Sequence, residues 1–380
     1  MLKNKVLLEY IWLDANDNFR SKVKAVGTEP NNFKIVLNEI EIWNFDGSST
    51  NQASGNDSEI FLKPYKIFTG GFKKSIAYYY VFCECLNPDG TPHKTNTRNS
   101  VVDFFNKPEI KELDTMFGIE QEFFVFKYGV PLIWGGETTK PQGDYYCGNG
   151  SSNVNQGRDL LDEVTEVLID WGINTTGYNF EVAPGQMEIQ ICENGIDAAD
   201  NLIASRFILT RLAEKRGWDI VFKPKPMFLD SDKWNGSGCH VNFSTNQIRT
   251  INKNDPFSSL NITAKLINTM AKNHEKDIKL FGSENNKLRL GGKNEASSYN
   301  TFNYGVANRG CSIRIPRFFV NNLCGYIEDR RPGADMDPYI VTKIITSYVI
   351  NNENSDEDNE EIKKIKNDIF NKHNNEKAFQ

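Results

Sequence analysis

Apolar and polar residues alternate in short runs near the start of the chain, from Val6 to Leu13, Phe33 to Ile42 and Ser75 to Glu84, with Asn, Asp and Gly turns between them. A period of two gives strands with one buried face, so residues 1–97 are predicted to form a small, mostly β domain. Beyond residue 98 the pattern mixes. Gly118 to Phe126 reads as a strand rich in β-branched and aromatic residues. Leu160, Leu161, Val164, Val167 and Leu168 recur at helical spacing between Gly157 and Gly172, and Ala198 to Lys215 reads as a further helix. Those aliphatic stripes are core, and residues 98–353 are predicted to form a larger domain of strands and helices, which makes the whole α+β. An Asn/Asp/Glu-rich stretch over 351–361 predicts a disordered linker. It leads into Glu361 to Asn371, where Ile362, Ile365, Ile369 and Phe370 share one helical face, so residues 354–380 are predicted to be an appendage that packs on an assembly or binds a partner.

Several of these strands carry chemistry on their polar faces. Glu120 and Glu122 lie two apart on the Gly118 to Phe126 strand and point the same way. Two such carboxylates repel and lose hydration if covered, so a covered pair demands a shared proton or divalent cations. In Trp234 to Ser244 a glycine-rich turn runs into an alternating segment with His240, Asn242 and Ser244 on one face; a solvated face would carry Lys or Glu instead. Between Glu181 and Glu188 a Pro184-Gly185 break turns the chain back, so both carboxylates can serve one centre, and Gln190 shares the face of Glu188. With Glu328 this makes an oxygen-rich set of carboxylates and one imidazole, suited to Mg²⁺ or Mn²⁺ rather than to a thiolate-seeking metal. Arg309, Arg314, Arg317, Arg330 and Arg331 supply planar forks that grip phosphate or carboxylate oxygens. A metal-dependent enzyme that handles ATP is the reading these signals share.

Composition narrows the picture without supplying it. A chain of 380 residues has room for two domains, and a net charge of -6 with no basic stripe argues against nucleic acid as a partner. No apolar run approaches the ~20 residues of a membrane span, and the start of the chain lacks a signal-peptide pattern. Seven cysteines without paired zinc spacing suit free thiols in a reducing compartment, so a cytoplasmic enzyme is expected.

Longer motifs then carry a resemblance: the chain is similar to glutamine synthetases of the eukaryotic-type (type II) class. The matching blocks run in order from Tyr10-Ile11-Trp12-Leu13-Asp14 through Trp43-Asn44-Phe45-Asp46-Gly47-Ser48-Ser49-Thr50, Gly118 to Glu122, Tyr145-Tyr146-Cys147-Gly148, Trp234 to Ser244 and Gly305 to Arg309, to Tyr326-Ile327-Glu328-Asp329-Arg330-Arg331-Pro332. The resemblance implies an N-terminal β-grasp domain and a catalytic domain with a curved antiparallel sheet flanked by helices. It implies ATP-dependent ligation of L-glutamate and ammonia to L-glutamine through a γ-glutamyl phosphate.

Residue by residue, it implies that Glu122, Glu181 and Glu188 hold one metal ion and that Glu120, His240 and Glu328 hold another, within a complement of two or three Mg²⁺ or Mn²⁺ per site. Glu188, Asn242, Ser244, Arg314 and Tyr326 are implied to contact ATP, and Arg309 and Arg330 to steady the phosphoryl group and glutamate. Asn235 and Gly236 are implied to receive the amino acid, with Glu181 and Tyr145 or Tyr146 beside the ammonium. Asp46 is implied to reach a neighbouring subunit's site, where it binds ammonium and takes its proton; the enzyme is then a homo-oligomer of two stacked pentameric rings. Arg289 to Glu295 resembles a flap that closes over glutamate, with Arg289 near the phosphates and Glu295 accepting a proton from the tetrahedral adduct.

Three departures stand out. Typical members carry a helical segment ahead of the Tyr10 motif that has little room here, so ring size is the property the resemblance fixes least. The stretch between Pro226 and Trp234 is longer than usual, and Lys233 stands where a small polar residue is common. The adenylylated loop of bacterial type I enzymes has no counterpart. Two alternatives within the wider superfamily are a γ-glutamyl-polyamine ligase, disfavoured by Asp46 and Glu295, and a silent structural member, which loss of metal or flap residues would mark.

Overall fold

The structure is a computed structural model that describes residues 5–29, 34–72, 77–136, 139–150, 156–226, 233–291, 297–351 and 359–377, the side chains of 375–377 excepted. The first strands are β1 (Lys5–Leu13), β2 (Phe19–Gly27), β3 (Trp43–Asp46), β4 (Glu59–Thr69) and β5 (Tyr78–Leu86). They form a sheet in the order β2-β1-β5-β4-β3, parallel between β1 and β5 and antiparallel elsewhere. Alternation buries both faces. Val6, Leu8, Tyr10 and Trp12 join Tyr79 and Val81 in an outer cluster, while Ile11, Tyr78, Tyr80 and Phe82 enter the main core, where Tyr80 meets Trp171 and Phe82 meets Phe207.

In the alternating run Phe33 to Ile42 the described residues, from Lys34 on, form no strand. Its described part contains a 3-10 turn, Leu37–Glu39, and Ile35 and Ile40 turn into the outer cluster. Covering that apolar face wins over lengthening the sheet, so only Trp43–Asp46 pairs with the edge of β4.

After α1 (Asn99–Asn106) and α2 (Pro108–Glu112) comes the long strand β6 (Met116–Lys127), the middle of a second sheet. The elements that follow are β7 (Val130–Pro131), α3 (Arg158–Asp170), β8 (Thr175–Phe180), β9 (Gln186–Asn194), α4 (Gly195–Lys215), β10 (Asp219–Val221) and β11 (Cys239–Ser244). Then come α5 (Asn246–Arg249), α6 (Ser258–Asp277), α7 (Asn286–Arg289), β12 (Tyr304–Val306), β13 (Ile313–Ile315), α8 (Arg317–Asn322), β14 (Ile327–Asp329), α9 (Pro338–Asn351) and α10 (Glu360–Lys377). The sheet order is β12-β13-β14-β11-β6-β9-β8, with β7 and β10 paired to β6. The pairing is antiparallel except between β12 and β13, so the sheet is mixed at one edge rather than wholly antiparallel.

The two predicted helices are present as α3 and α4, and the apolar face of β6 packs beneath α4. Where α4 crosses the sheet, Arg206 Nε donates to Gln121 Oε1 at 2.7 Å and its other nitrogens reach the carbonyls of Met336 and Ala334. The first sheet is tied to α4 through ions. Arg98 pairs with Glu84 at 2.6 Å and forks onto Asp200, which also accepts from Tyr339, and Arg211 of α4 pairs with Glu9 of β1 at 2.9 Å.

The last helix is longer than the sequence predicted, and its partner is the chain itself. Ile362, Ile365 and Ile369 are buried in the main core as α10 lies against α6 and α8. The described helix begins at Glu360, inside the stretch predicted as linker, and residues 352–358 lie outside the described residues. No described helix is long and apolar enough to cross a membrane.

Candidate active site

Strand register assembles the polar faces. In β6, Glu120 faces His240 of β11 on one side and Gln190 of β9 on the other, while Glu122 faces Glu188. Asn242 of β11 faces Glu328 of β14, which in turn faces Arg314 of β13. Glu181 follows the end of β8 at the hairpin broken by Pro184 and Gly185, and Gly185 adopts φ +70° where any Cβ would strike the backbone of Leu132.

Two groups of donors result. Ligand atoms of Glu120, His240 and Glu328 all lie within 4.8 Å of one another, and so do those of Glu122, Glu181 and Glu188. His240 Nδ1 stands 3.4 Å from Glu120 Oε2 and 3.7 Å from Glu328 Oε1. Such spacings exceed a hydrogen bond, and donors around one small cation at about 2.1 Å are spaced by roughly 3–4 Å.

Each carboxylate is aimed by a neighbour. Gly238 N donates to Glu122 Oε2 at 2.7 Å, Asn179 Nδ2 to Glu181 Oε1 at 2.9 Å, Gln190 Nε2 to Glu188 Oε1 at 2.6 Å and Asn242 Nδ2 to Glu120 Oε1 at 2.7 Å. Gln186 Nε2 reaches Glu122 Oε2 at 3.3 Å and Gly236 O at 3.1 Å, and its Oε1 accepts from Asn235 Nδ2. Glu328 is gripped from both sides by Arg314 at 2.8 Å and Arg330 at 2.5 Å. Sequence reasoning missed Asn179 and Gln186 as supports; the signal was their alternation with Glu181 and Glu188, which any polar strand face shares.

The electrostatics favour cations. Burial, then repulsion from Glu181, pushes the Glu122 carboxyl up to about 8; burial pushes Glu181 up to about 7; and Glu188 rises well above its usual range from burial and from Glu120, Glu122 and Glu181. Burial and then Arg330 hold the His240 imidazole well below its usual range, which keeps it neutral with a lone pair to offer. A buried oxygen-rich cluster that resists ionising by itself, next to a neutral imidazole, fits hard divalent ions.

A cavity of about 310 Å³ opens beside Glu120, lined by Asn242, Ser244 and Tyr326 together with Gly118, Thr176, Gln190 and Cys192. Its size and mixed lining suit a nucleoside. Arg314 stands next to it, and Arg330 and Arg309 border the carboxylates: Arg330 Nε donates to Arg309 O at 3.0 Å, and the positive charge of Arg309 acts on Glu181. Arg331 does not face this space. It is wholly buried on the opposite face, forked onto Asp329 at 2.9 and 2.7 Å, because alternation after Glu328 turns it away. Arg317 opens α8 and is exposed.

Arg289 is buried too. Its Nη2 donates to the carbonyls of Arg330, Arg331 and Pro332, and its stem fills the space that a side chain at Gly236 would need. Burial pulls its guanidinium down to about 10. Of the paired tyrosines, Tyr146 is exposed and feels the charges of Glu181 and Glu188 after burial and Cys147, whereas Tyr145 donates to Lys140 O. Asp46 is exposed at the start of a 3-10 turn, Gly47–Thr50, where it accepts from Ser48 N and Oγ, in the other sheet from these carboxylates. Glu295 and the segment 292–296 lie outside the described residues, as do residues 227–232 in the long stretch before Trp234.

The chain is also similar to known proteins. A family model described as glutamine synthetase, catalytic domain, matches residues 94–351. A glutamine synthetase of Yarrowia lipolytica is 43% identical over 348 residues, covering 90% of each chain. A cytosolic isozyme of glutamine synthetase from Pinus sylvestris is 40% identical over 351 residues, covering 91% of this chain and 94% of that one. Among solved structures, the glutamine synthetase of Plasmodium falciparum superposes with a TM-score of 0.70 at 19% identity, over 92% of this chain and 72% of that one.

Proposed function

This chain belongs to the glutamine synthetase family and is an ATP-dependent glutamate–ammonia ligase, and we propose that the two donor groups on its curled sheet run that reaction through a γ-glutamyl phosphate. The observation that carries the reading is the pairing of two separate acidic donor groups with an adjoining nucleoside-sized cavity. Glu120, His240 and Glu328 would hold one cation and Glu122, Glu181 and Glu188 a second, and Mg²⁺ or Mn²⁺ bound there would supply the charge neutralisation that phosphoryl transfer needs.

The chain's own residues do the rest. Asn242, Ser244, Tyr326 and the backbone after Glu188 receive the nucleotide, and Arg314 faces its phosphates. Arg309 and Arg330 offset charge on the γ-carboxylate of glutamate, which Asn235 and Gly236 position through Gln186. A carboxylate is a poor electrophile, so phosphorylation comes first and ammonia attacks second. Ammonium predominates at neutral pH, so Glu181, Tyr145 or Tyr146, Glu295 and Asp46 of a neighbouring copy form the acidic pocket that gathers it and takes its proton. The charge of Glu181 and Glu188 on Tyr146 favours that phenol over Tyr145. Arg289 anchors the base of the 289–295 flap.

The same reading makes the N-terminal sheet a β-grasp domain of residues 1–97, residues 98–353 the catalytic domain, and 354–380 its appendage. It makes the working enzyme a cytoplasmic homo-oligomer, two stacked pentameric rings. The testing experiment measures phosphate release and glutamine with ATP, Mg²⁺, L-glutamate and ammonium, omitting each in turn and replacing ammonium by a polyamine. Glutamine that needs all four supports the reading, whereas activity only with the polyamine, or unchanged glutamine formation by Asp46→Ala, overturns it.

A further inference from the structure

Helix α10 lies outside residues 94–351, which the catalytic-domain family model matches, yet it is built into the edge of the sheet that carries Arg314. It touches that edge before and after β13 in the chain. Before it, Tyr304 Oη, on β12, donates to Asp368 Oδ2 of α10 at 2.7 Å, and Gly305, the next residue, lies in register with Arg314. After it the chain runs through Pro316 into α8, where the ring Nδ1 of His373, buried in α10, donates to Val320 O at 2.6 Å. Ile362, Ile365 and Ile369 fill the core beneath, and Phe370 packs edge-on against Phe257 at the head of α6.

β12 and β13 are three-residue strands, paired to each other in parallel, and among the described residues no further strand lies beyond β12 in the sheet. So short an edge holds its register poorly without outside contacts. We propose that α10 is a positioning element for the ligase, with Asp368 and His373 fixing β12 and α8 so that Arg314 is held against Glu328 and the nucleotide cavity. This rests on the reading of Arg314 as a phosphate contact. Asp368 and His373 touch no substrate; they act through the strand between their partners.

The test uses the full chain and two readouts. Hydrogen exchange of the β12 and β13 amides, with β6 and β9 as internal reference, reports the brace without reference to ATP. Steady-state kinetics report its use. Asp368→Ala and Tyr304→Phe are expected to speed exchange in β12 and β13 alone and to raise KM for ATP about two- to ten-fold, the scale of one lost hydrogen bond, with KM for glutamate unchanged. Asp368→Asn, which keeps an acceptor for Tyr304, is expected to restore both.

Unchanged exchange at β12 and β13 in Asp368→Ala overturns the proposal. So does faster exchange with an unchanged KM for ATP when Arg314→Ala raises that KM. If Arg314→Ala leaves the KM unmoved while exchange responds, the brace stands and the reading of Arg314 falls.

Discussion

A Cβ added at Gly238 would lie 2.5 Å from His240 Nε2, so the imidazole occupies the space that any side chain at 238 would need. The same glycine points its amide at Glu122 Oε2, which joins the two donor groups through one backbone turn. Gly238→Ala therefore pushes the ring away from Glu120 and Glu328. We expect kcat/KM to fall by about 10²-fold from misplacement alone, with thermal unfolding nearly unchanged. Turnover within a few-fold of the parent would show that the position of His240 does not matter.

Glu122→Gln is expected to separate stability from activity. Removing one charge from a buried trio relieves repulsion, so the metal-free protein at pH 9 should gain on the order of 1 kcal/mol in denaturant unfolding. Glutamine formation should meanwhile fall by at least about 10²-fold, because a ligand is lost. A metal-free variant less stable than the parent at pH 9 would contradict the electrostatic account.

The pH dependence has a fixed sign. Glu122 and Glu181 hold protons more tightly in the folded state than unfolded, since their folded values are raised to about 8 and about 7 from 4.5. Stability from this source is complete below about pH 4.5 and is lost as pH rises through about 7 to 8. Metal-free protein should therefore unfold more easily between pH 6 and pH 9, and saturating Mg²⁺ should flatten that slope. Binding Mg²⁺ at pH 7 should also release about one to two protons per site, seen by titration calorimetry in buffers of different ionisation enthalpy. Equal heats in all buffers would rule this out.

Arg98 ties the first sheet to α4 by pairing with Glu84 of β5 and Asp200 of α4, both buried. Removing it strands two carboxylates away from water, so Arg98→Ala should cost about 3–5 kcal/mol in chemical unfolding. A loss below about 1 kcal/mol would mean that solvent already reaches the network.

The sequence shows where single strands carry their own signal. The period of two around Glu120, Glu122, His240 and Asn242 and the turn at Pro184-Gly185 say which side chains share a face, and the helical spacing of Leu160 to Leu168 and of Ile362 to Ile369 says which stripes are core. It does not say which strands are neighbours, so the meeting of Glu328 with Arg314 and of Glu122 with Gln186 belongs to the register alone. Phe33 to Ile42 has a strand's alternation but finds an apolar face to cover in place of an edge to pair with. Arg331 and Arg330 look alike in the chain and end on opposite faces. The C-terminal helix shows its apolar stripe plainly, and only the fold reveals that α6 and α8 cover it.

If each donor group holds one cation, counting bound Mn²⁺ by equilibrium dialysis without nucleotide gives the number outright. Two tight ions are expected in the parent protein, and a single retained ion in Glu328→Gln and in Glu181→Gln. Two ions retained in either variant, or none in both, would contradict one cation per donor group.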